Sequence, residues 1–538
     1  MTVTRRILLD GVNLSFDATE QDILAAAGRK LRLAGYNPAG LNLKLYRRAI
    51  DARHRDDIRL ICTVFVEGEA CRLPSGAALS RLGGREYSSP ELELVRGNEP
   101  LAAPPLVVGT GPAGMFCGLL LARCGYSPVV IERGGCVAER VAAVETFTSR
   151  RILNSESNIQ FGAGGAGTFS DGKLVTRISD ARCSYVLKTL AEHGAPADIL
   201  TRAKPHVGTD ILRGVTQSLL DEITARGGKV MFNCRLDDVK ECPGGLVAVT
   251  TQGDIYCGAL VMAPGHSARD TYGMLQRRGV VIEPKAFSVG VRIEHLQQDI
   301  DRALYGRYAG DVRLGPAEYT LSDTTGERGV YTFCMCPGGE VAAAASEAGG
   351  LVVNGMSYHA RAGRNANCAV AVSVLPEDYG NTPQGAVEYQ RRVETAAYAA
   401  GGGDFRAPVE TVGDFLSGTC RHEPGRVMPT YMGGFVRPTD LDRMFPEMIV
   451  RNLRRGLVSF GRRIAGFDSP DSVLTGAETR TSSPVRIVRG EALTSPGHDR
   501  IYPCGEGAGY AGGITSAAVD GLRVAQAIMA RFAPADKD

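Results

Sequence analysis

The chain has 538 residues, 44% hydrophobic and 22% charged, an ordinary globular mix that is too long for one compact domain. A formal net charge of +2 steers the whole molecule toward neither nucleic acid nor an anionic membrane, and no apolar run of about 18 residues offers a transmembrane helix. The 14 cysteines include no CxxC, which excludes zinc ribbons and thioredoxin-like sites and fits free thiols in a reducing cytoplasm; Asp10 interrupts the N-terminus before a signal-peptide core can form.

Residues 1–100 read as a small α+β domain. Strand-like residues 6–9 precede capping residues Asp17–Thr19 and a helix with apolar spacing over 23–33; strands follow at 43–50 and 58–66. This βαββ order predicts a ferredoxin-like module. Its Lys44, Arg47, Arg48, Arg53, His54 and Arg55 are interleaved with Asp51, Asp56 and Asp57, a mixed run read first as a solvated face and second as a docking face for RNA or protein. The Pro-rich stretch 98–105 reads as a linker.

At Leu106 the character changes. A short apolar strand, 106–108, runs into Gly109-Thr110-Gly111-Pro112-Ala113-Gly114; a helix over 115–124 and a second strand over 128–132 follow, ending at Glu132. This strand–GxGxxG–helix–strand unit is a dinucleotide site by mechanism. Gly109 permits the tight turn, Gly111 the approach of backbone to a pyrophosphate, and Gly114 close helix–strand packing. The helix N-terminus offers free N–H groups, and the acidic residue about twenty positions on can accept ribose hydroxyls. A second run, Gly162-Ala163-Gly164-Gly165-Ala166-Gly167, fits the same pattern but follows no convincing strand, so it reads as a loop packed on the cofactor or its phosphates.

Further on, a helix over 211–225 and strands at 229–233, 246–250 and 259–263 complete a first segment, 101–285. Residues 286–495 look different. Strands at 286–294, 330–336, 340–346 and 369–375 suggest an antiparallel sheet, with Pro337-Gly338-Gly339 turning a hairpin and helices over 385–400 and 440–463. Residues 501–531 return to strand, glycine loop and helix. The nucleotide domain therefore reads as discontinuous, 101–285 plus 496–538, with a substrate domain inserted: an α/β fold with an antiparallel α+β insertion.

GTGPAG followed by VVIERG resembles the FAD-binding opening of flavoprotein hydroxylases and reductases. The resemblance implies FAD, with Arg133 and Arg140 near it and Arg140 close to the ribityl chain. The A-P-G run ending at Gly265 is similar to the same families' middle motif. Gly505-Glu506 is similar to their third motif, with Glu where Asp is usual, and Gly513-Ile514 opens the last helix toward the flavin. The segments NIQFGAGGAGTFSDGKLVTR, KPHVGTD, FCMCPGGEVAAAASEAGG and ETRTSSPVRIVR resemble a family of FAD-dependent dehydrogenases that also carry a small N-terminal domain. The likeness covers nearly the whole chain and implies a fold and a cofactor, not a substrate. The absence of Trp argues against the Trp-rich flavin halogenases.

The chemistry has three groups of candidates. Strand alternation puts Cys334 and Cys336 on one face, where either thiolate could act as acid or nucleophile; the plainer alternative is two small residues packed in a core. The strand carrying them resembles one that geranylgeranyl reductase-like flavoproteins place over the isoalloxazine. His206, with Asp210 as a helix cap, could serve in acid–base work. His359, Arg361 and Arg364 could hold a carboxylate, though a solvated loop is the plainer reading, and Arg480, Ser482 and Ser483 sit at the domain junction. No metal ligand set is expected. The function read from these residues is hydride transfer between FAD and a small or medium organic substrate. NAD(P)H would be a transient donor, having no second Rossmann unit to bind it. The alternatives are an NAD(P)H-dependent monooxygenase, an RNA-binding flavoprotein acting on tRNA, and a flavin-binding regulator without turnover. Nucleic acid is the least expected partner.

Overall fold

The computed structural model describes residues 3–87 and 92–534. Thr19 starts the first helix, Glu20–Leu33, with a reciprocal cap. Its hydroxyl accepts from the Asp22 N–H at 3.2 Å, while the Asp22 carboxylate accepts from the Thr19 N–H at 2.9 Å. Ile23, Ala27 and Leu31 of this helix are buried against an antiparallel sheet of strands Thr4–Ser15, Asn42–Asp51, Arg59–Glu69 and Gly84–Glu86, in spatial order second, third, first, fourth. The elements run βαββαβ, with the helix Gly76–Arg81 before the last strand.

Five short parallel strands form the next layer, in the order Ile501–Pro503, Leu260–Met262, Leu106–Val108, Val129–Ile131, Lys229–Met231. The central ones are continuous apolar runs because both faces are covered; Leu106, Val107, Leu260 and Val261 are fully buried. The strand nearest the C-terminus pairs beside strands from the first half of the chain, so the sheet is closed only after the polypeptide has left it and returned. Helices Pro112–Arg123 and Ile514–Arg531 cross closely on one face. A Cβ at Gly521 would lie 2.1 Å from the Ala113 carbonyl oxygen, so glycine is what lets the two backbones approach. Their N-termini consequently lie side by side at the carboxyl edge of the sheet.

Between its departure and return the chain builds a seven-stranded sheet, ordered Ser322–Asp323, Val330–Cys336, Asn365–Val374, Phe287–Leu296, Val473–Glu478, Ala407–Thr411, Val436–Pro438. Neighbours are antiparallel except the last pair. Every residue of Phe287–Leu296 is buried. Glu394, on helix Pro383–Gly401, ties this unit to the parallel sheet's side: its carboxylate lies 2.7 Å from Arg269 and 3.1 Å from Arg480. Burial alone would raise this carboxyl's pKa, but the two guanidinium groups outweigh it and bring it to about 2.

Two sequence expectations fail here. Pro337-Gly338-Gly339 does not turn a hairpin. Strand Glu340–Ala343 leaves the large sheet and pairs with Val353–Met356 in a separate two-stranded piece. Gly338 adopts φ +48, and a Cβ there would lie 1.9 Å from the Arg361 carbonyl oxygen, so the chain folds under the 361–363 segment instead of back on itself. The helix expected over 440–463 begins only after Pro446. Residues Leu441–Met444 form a single 3-10 turn, and the α-helix is Glu447–Gly461, because proline cannot supply an interior N–H.

Candidate functional site

A deep pocket runs along the carboxyl edge of the parallel sheet. At one end it is walled by Glu132, Arg133, Cys234, Arg235 and Leu236; in the middle by Gly109, Gly111, Pro112, Ala113, Gly265 and Glu506; at the other end by Lys173, Cys334, Cys336, Asn354, Gly513 and Ile514.

The first glycine run makes the entrance. Gly109 has φ +100, and a Cβ there would sit 2.3 Å from the Ala263 carbonyl oxygen; one at Gly114 would sit 1.9 Å from the Gly109 oxygen. Pro112 occupies the first turn, where no N–H is needed, and the Ala113 and Gly114 N–H groups open the helix. Glu132 is 5% exposed. Its carboxylate accepts from the N–H and hydroxyl of Thr110, at 2.9 and 2.8 Å, and from the N–H groups of Gly134 and Gly162, at 3.1 and 2.9 Å. Any ribose hydroxyl would share those oxygens with protein donors. Arg133 lines the same end, paired with Glu156 at 2.9 Å and Asp270 at 3.0 Å, over the Phe161 ring.

The second glycine run is a loop without a following βαβ unit. Arg140 organises it: the fully buried guanidinium donates to the carbonyl oxygens of Asn158, Ile159, Gly162, Ala163 and Gly165 at 2.6–3.3 Å. The resemblance implies Arg140 beside a ribityl chain. Arg140 does not line the pocket, because its donors are spent holding the loop. Gly165 does line the pocket and meets Gly111, where a Cβ would approach the Gly111 Cα to 2.7 Å; Gly164 lies behind, against Thr168 and Thr216. Gly114 and Gly505 also stand behind the wall.

At the far end Cys334 and Cys336 share the pocket face and Met335 the opposite one, as strand alternation predicts, while Phe333 departs from it. Cys334 has φ +43 at a register shift between Phe333 and Cys336, so Phe333, Cys334 and Cys336 all line the pocket while Met335 packs in the core. Both thiols are raised by burial, Cys334 to about 12 and Cys336 to about 11. Both shifts favour the neutral thiol over the thiolate. Cys336 Sγ–H points at the Cys334 carbonyl oxygen, 3.2 Å away. His206 does not line the pocket. Its Nε2–H donates to the His359 carbonyl oxygen at 3.1 Å, its ring stacks on that of His359 at 5.2 Å, and burial lowers its pKa. Arg361 is not on a solvated loop: it is 9% exposed and forms an ion pair with Asp171, which lines the pocket. Arg364 donates to the Arg426 carbonyl oxygen at 3.1 Å, away from the pocket. Arg480 lines the pocket; Ser483 is turned toward Tyr272 and the Gly507 carbonyl oxygen.

Several wall residues escaped the sequence reading: Lys173, Asp171, Asn354 and His266. Lys173 and Asp171 sit inside the segment NIQFGAGGAGTFSDGKLVTR, so its motif density was a signal. His266 follows Gly265 directly and carried no pattern of its own. Among the described residues, no group of three or more His, Cys, Asp and Glu is arranged to hold a metal, and no helix is long and apolar enough to cross a membrane.

The family described as "FAD-dependent protein, C-terminal domain-like" matches residues 286–481. An uncharacterized protein of Clostridium beijerinckii is 45% identical over 534 residues, covering 98% of this chain and 99% of its own. The chain belongs to this FAD-dependent protein family. Solved structures similar to it include glycine oxidase from Geobacillus kaustophilus, at 12% identity and TM-score 0.37 over 82% of this chain and 97% of that one. Another is the flavin-dependent halogenase CmlS, at 14% identity and TM-score 0.35 over 79% and 58%.

The pocket of this FAD-dependent protein fits a dinucleotide on its own geometry. A Cβ on Gly265, Gly512 or Gly513 would meet nothing within 4 Å, so glycine at these positions leaves space that no protein atom fills. Two helix N-termini converge on that space and favour anionic or electron-rich groups. Of the residues expected at a cofactor, Gly109, Gly111, Pro112, Ala113, Glu132, Arg133, Gly165, Gly265, Glu506, Gly513 and Ile514 line this pocket and could hold FAD there.

Proposed function

We propose that this protein binds FAD along the carboxyl edge of its parallel sheet and acts as an oxidoreductase on a C–C or C–N bond of a small or medium organic substrate. The observation that supports it is continuity: one pocket leads from Glu132, past both helix N-termini, to the bulge at Cys334. Bound there, FAD supplies the hydride chemistry. The chain's own part is to bind, orient and exclude water. Glu132 and the two helix N-termini fix the dinucleotide's length. Phe333, Ile514 and the neutral Cys334 and Cys336 make the far end dry, and Lys173 and Asp171 set opposite charges at its edge.

In this reading residues 1–100 are a ferredoxin-like domain, 101–285 and 496–538 the FAD domain, and 286–495 the substrate domain. NAD(P)H is a transient donor at most, nucleic acid is not a partner, and 14 free cysteines suit the cytoplasm. The deciding experiment is the visible spectrum of the purified protein under anaerobic conditions, before and after NADH or NADPH. Flavin bands are expected, and bleaching by either nucleotide would identify the donor. A colourless protein that takes up no added FAD would end the proposal.

A further inference from the structure

Four Lys and Arg side chains line the pocket. Arg133, Arg235 and Arg480 each have a carboxylate within 3.1 Å. Lys173, at the far end, differs. Its carboxylate partner, Glu318, stands 3.7 Å from Nζ and is held more closely, at 2.9 Å, by Lys204. Arg361, which the sequence put forward as a carboxylate holder, is spent on Asp171 and comes within 4.0 Å of the same Glu318. Lys173, Lys204 and Arg361 therefore share two carboxylates, and one positive charge is left over. Burial works to raise both carboxyls, yet the ammonium and guanidinium groups beside them bring Asp171 and Glu318 below the usual carboxylate range. Of the three cations only Lys173 lines the pocket, and its side chain is 28% exposed.

A second donor belongs to the same wall. Lys173 Nζ donates to the Met335 carbonyl oxygen, one residue past the bulge at Cys334. The Cys334 carbonyl oxygen takes Arg292 Nη1, and Nη2 of the same guanidinium donates to Asn354 Oδ1 at 3.4 Å. The Gly355 N–H donates to that Oδ1 as well, at 2.7 Å. Two donors into Oδ1 fix which way round the amide stands, so Nδ2 is what Asn354 offers the pocket it lines. The wall around these donors is Phe333, Cys334 and Ile514, which carry no charge. A surplus cation and an amide donor set in an apolar wall suit an anion with two acceptor oxygens on an organic body, which is a carboxylate.

We propose that the substrate of this pocket is a carboxylic acid whose carboxylate is held by Lys173 and Asn354. The proposal deepens the oxidoreductase reading above and rests on it. Its test is calorimetric titration of the flavin-loaded protein with benzoate and with benzamide, which share a ring and a size and differ in charge. Benzoate should bind about tenfold more tightly or better. Lys173→Gln keeps a donor for the Met335 carbonyl oxygen but no charge. It should weaken benzoate about tenfold or more, the effect of losing one charge-assisted hydrogen bond, and benzamide less than about threefold. Asn354→Asp, which keeps the acceptor for Arg292 and adds a repelling charge, should act in the same direction. The FAD affinity of Lys173→Gln should stay within about threefold of the parent. Benzoate bound no more tightly than benzamide, or a preference that survives Lys173→Gln, would overturn the assignment. So would a tenfold loss of FAD affinity in that variant (about 1.4 kcal/mol), which would put Lys173 on the flavin's own carbonyl edge. A parent protein that takes up no flavin ends the FAD reading, whereas a flavin-loaded protein indifferent to the carboxylate ends this proposal alone.

Discussion

Arg292 and Glu478 form an ion pair at 2.9 Å with side chains 0% and 2% exposed, on adjacent strands of the large sheet directly behind the pocket's far wall. The same guanidinium donates to the Cys334 carbonyl oxygen at 3.2 Å and to Asn367 Oδ1 at 2.6 Å. The pair therefore pins the bulge that turns Cys334 toward the pocket. Removing one partner leaves the other charge buried and uncompensated. Glu478→Gln should lower unfolding free energy by about 3–5 kcal/mol, whereas Arg292→Met combined with Glu478→Leu should lose less. Urea unfolding of the three proteins decides it; a single variant within 1 kcal/mol of the parent (roughly the worth of a surface pair) would contradict the structural role.

Two glycines at the helix N-termini, Gly114 behind the pocket wall and Gly513 on it, should respond in opposite ways. At Gly114 an added methyl meets the Gly109 carbonyl oxygen, a backbone atom that cannot move aside. Gly114→Ala should therefore lower the melting temperature of the flavin-free protein and abolish FAD uptake. At Gly513 the methyl enters open space, and the backbone there is extended, with φ 170. Gly513→Ala should leave the flavin-free melting temperature unchanged and weaken FAD by tenfold or more, about 1.4 kcal/mol. Calorimetry alongside a flavin titration reads both. Equal FAD affinity in Gly513→Ala and the parent would mean that the space is not the cofactor's.

The contrast between these residues also explains what was legible in the sequence. The Gly109–Gly114 run could be read because each glycine answers a local stereochemical demand within one strand–helix–strand unit. The antiparallel insertion was visible in strand periodicity. The loop-holding role of Arg140 was not legible because its partners are carbonyl oxygens, which every residue has and no pattern marks. His266 was missed because the Glu506 beside which it lines the pocket is brought to it by the fold from the far end of the chain. Alternation placed Cys334 and Cys336 on one face and Met335 on the other, and missed only that the bulge at Cys334 brings Phe333 to the pocket as well.

Glu410 gives the insertion a pH dependence. It is 4% exposed, and its carboxylate accepts from the Leu441 N–H at 3.0 Å. Burial raises its pKa to about 7; the Leu441 bond opposes this, and Asp440, Asp442 and Asp414 add to it. The folded state thus holds a proton that the unfolded state releases near pH 4.5. The stabilisation is complete below that pH and is lost as pH rises through about 7, on the order of 3 kcal/mol. Glu410→Gln keeps the acceptor and cannot ionise. Its stability should change less than the parent's between pH 4.5 and 7 and exceed it at the upper end. Parallel stability profiles for the two proteins across that window would refute the assignment.

Cys334 tests the chemistry of the far wall. It is open to the pocket, so a small reagent can reach it, yet burial holds its thiol at about 12. Reactivity follows the thiolate, and a thiol at that value is ionised on the order of one part in ten thousand or less near pH 7.5. Cys71, by contrast, is exposed on the N-terminal unit. Iodoacetamide at pH 7.5 should therefore label Cys71 well before Cys334, as followed by peptide mass spectrometry on the flavin-free protein. Labelling of Cys334 should accelerate as pH is raised toward 10. Cys334→Ala should reduce flavin at a rate within about threefold of the parent, because a neutral thiol supplies packing and not a nucleophile. Rapid alkylation of Cys334 at neutral pH, or a hundredfold loss of flavin reduction in Cys334→Ala, would favour the thiolate role over packing.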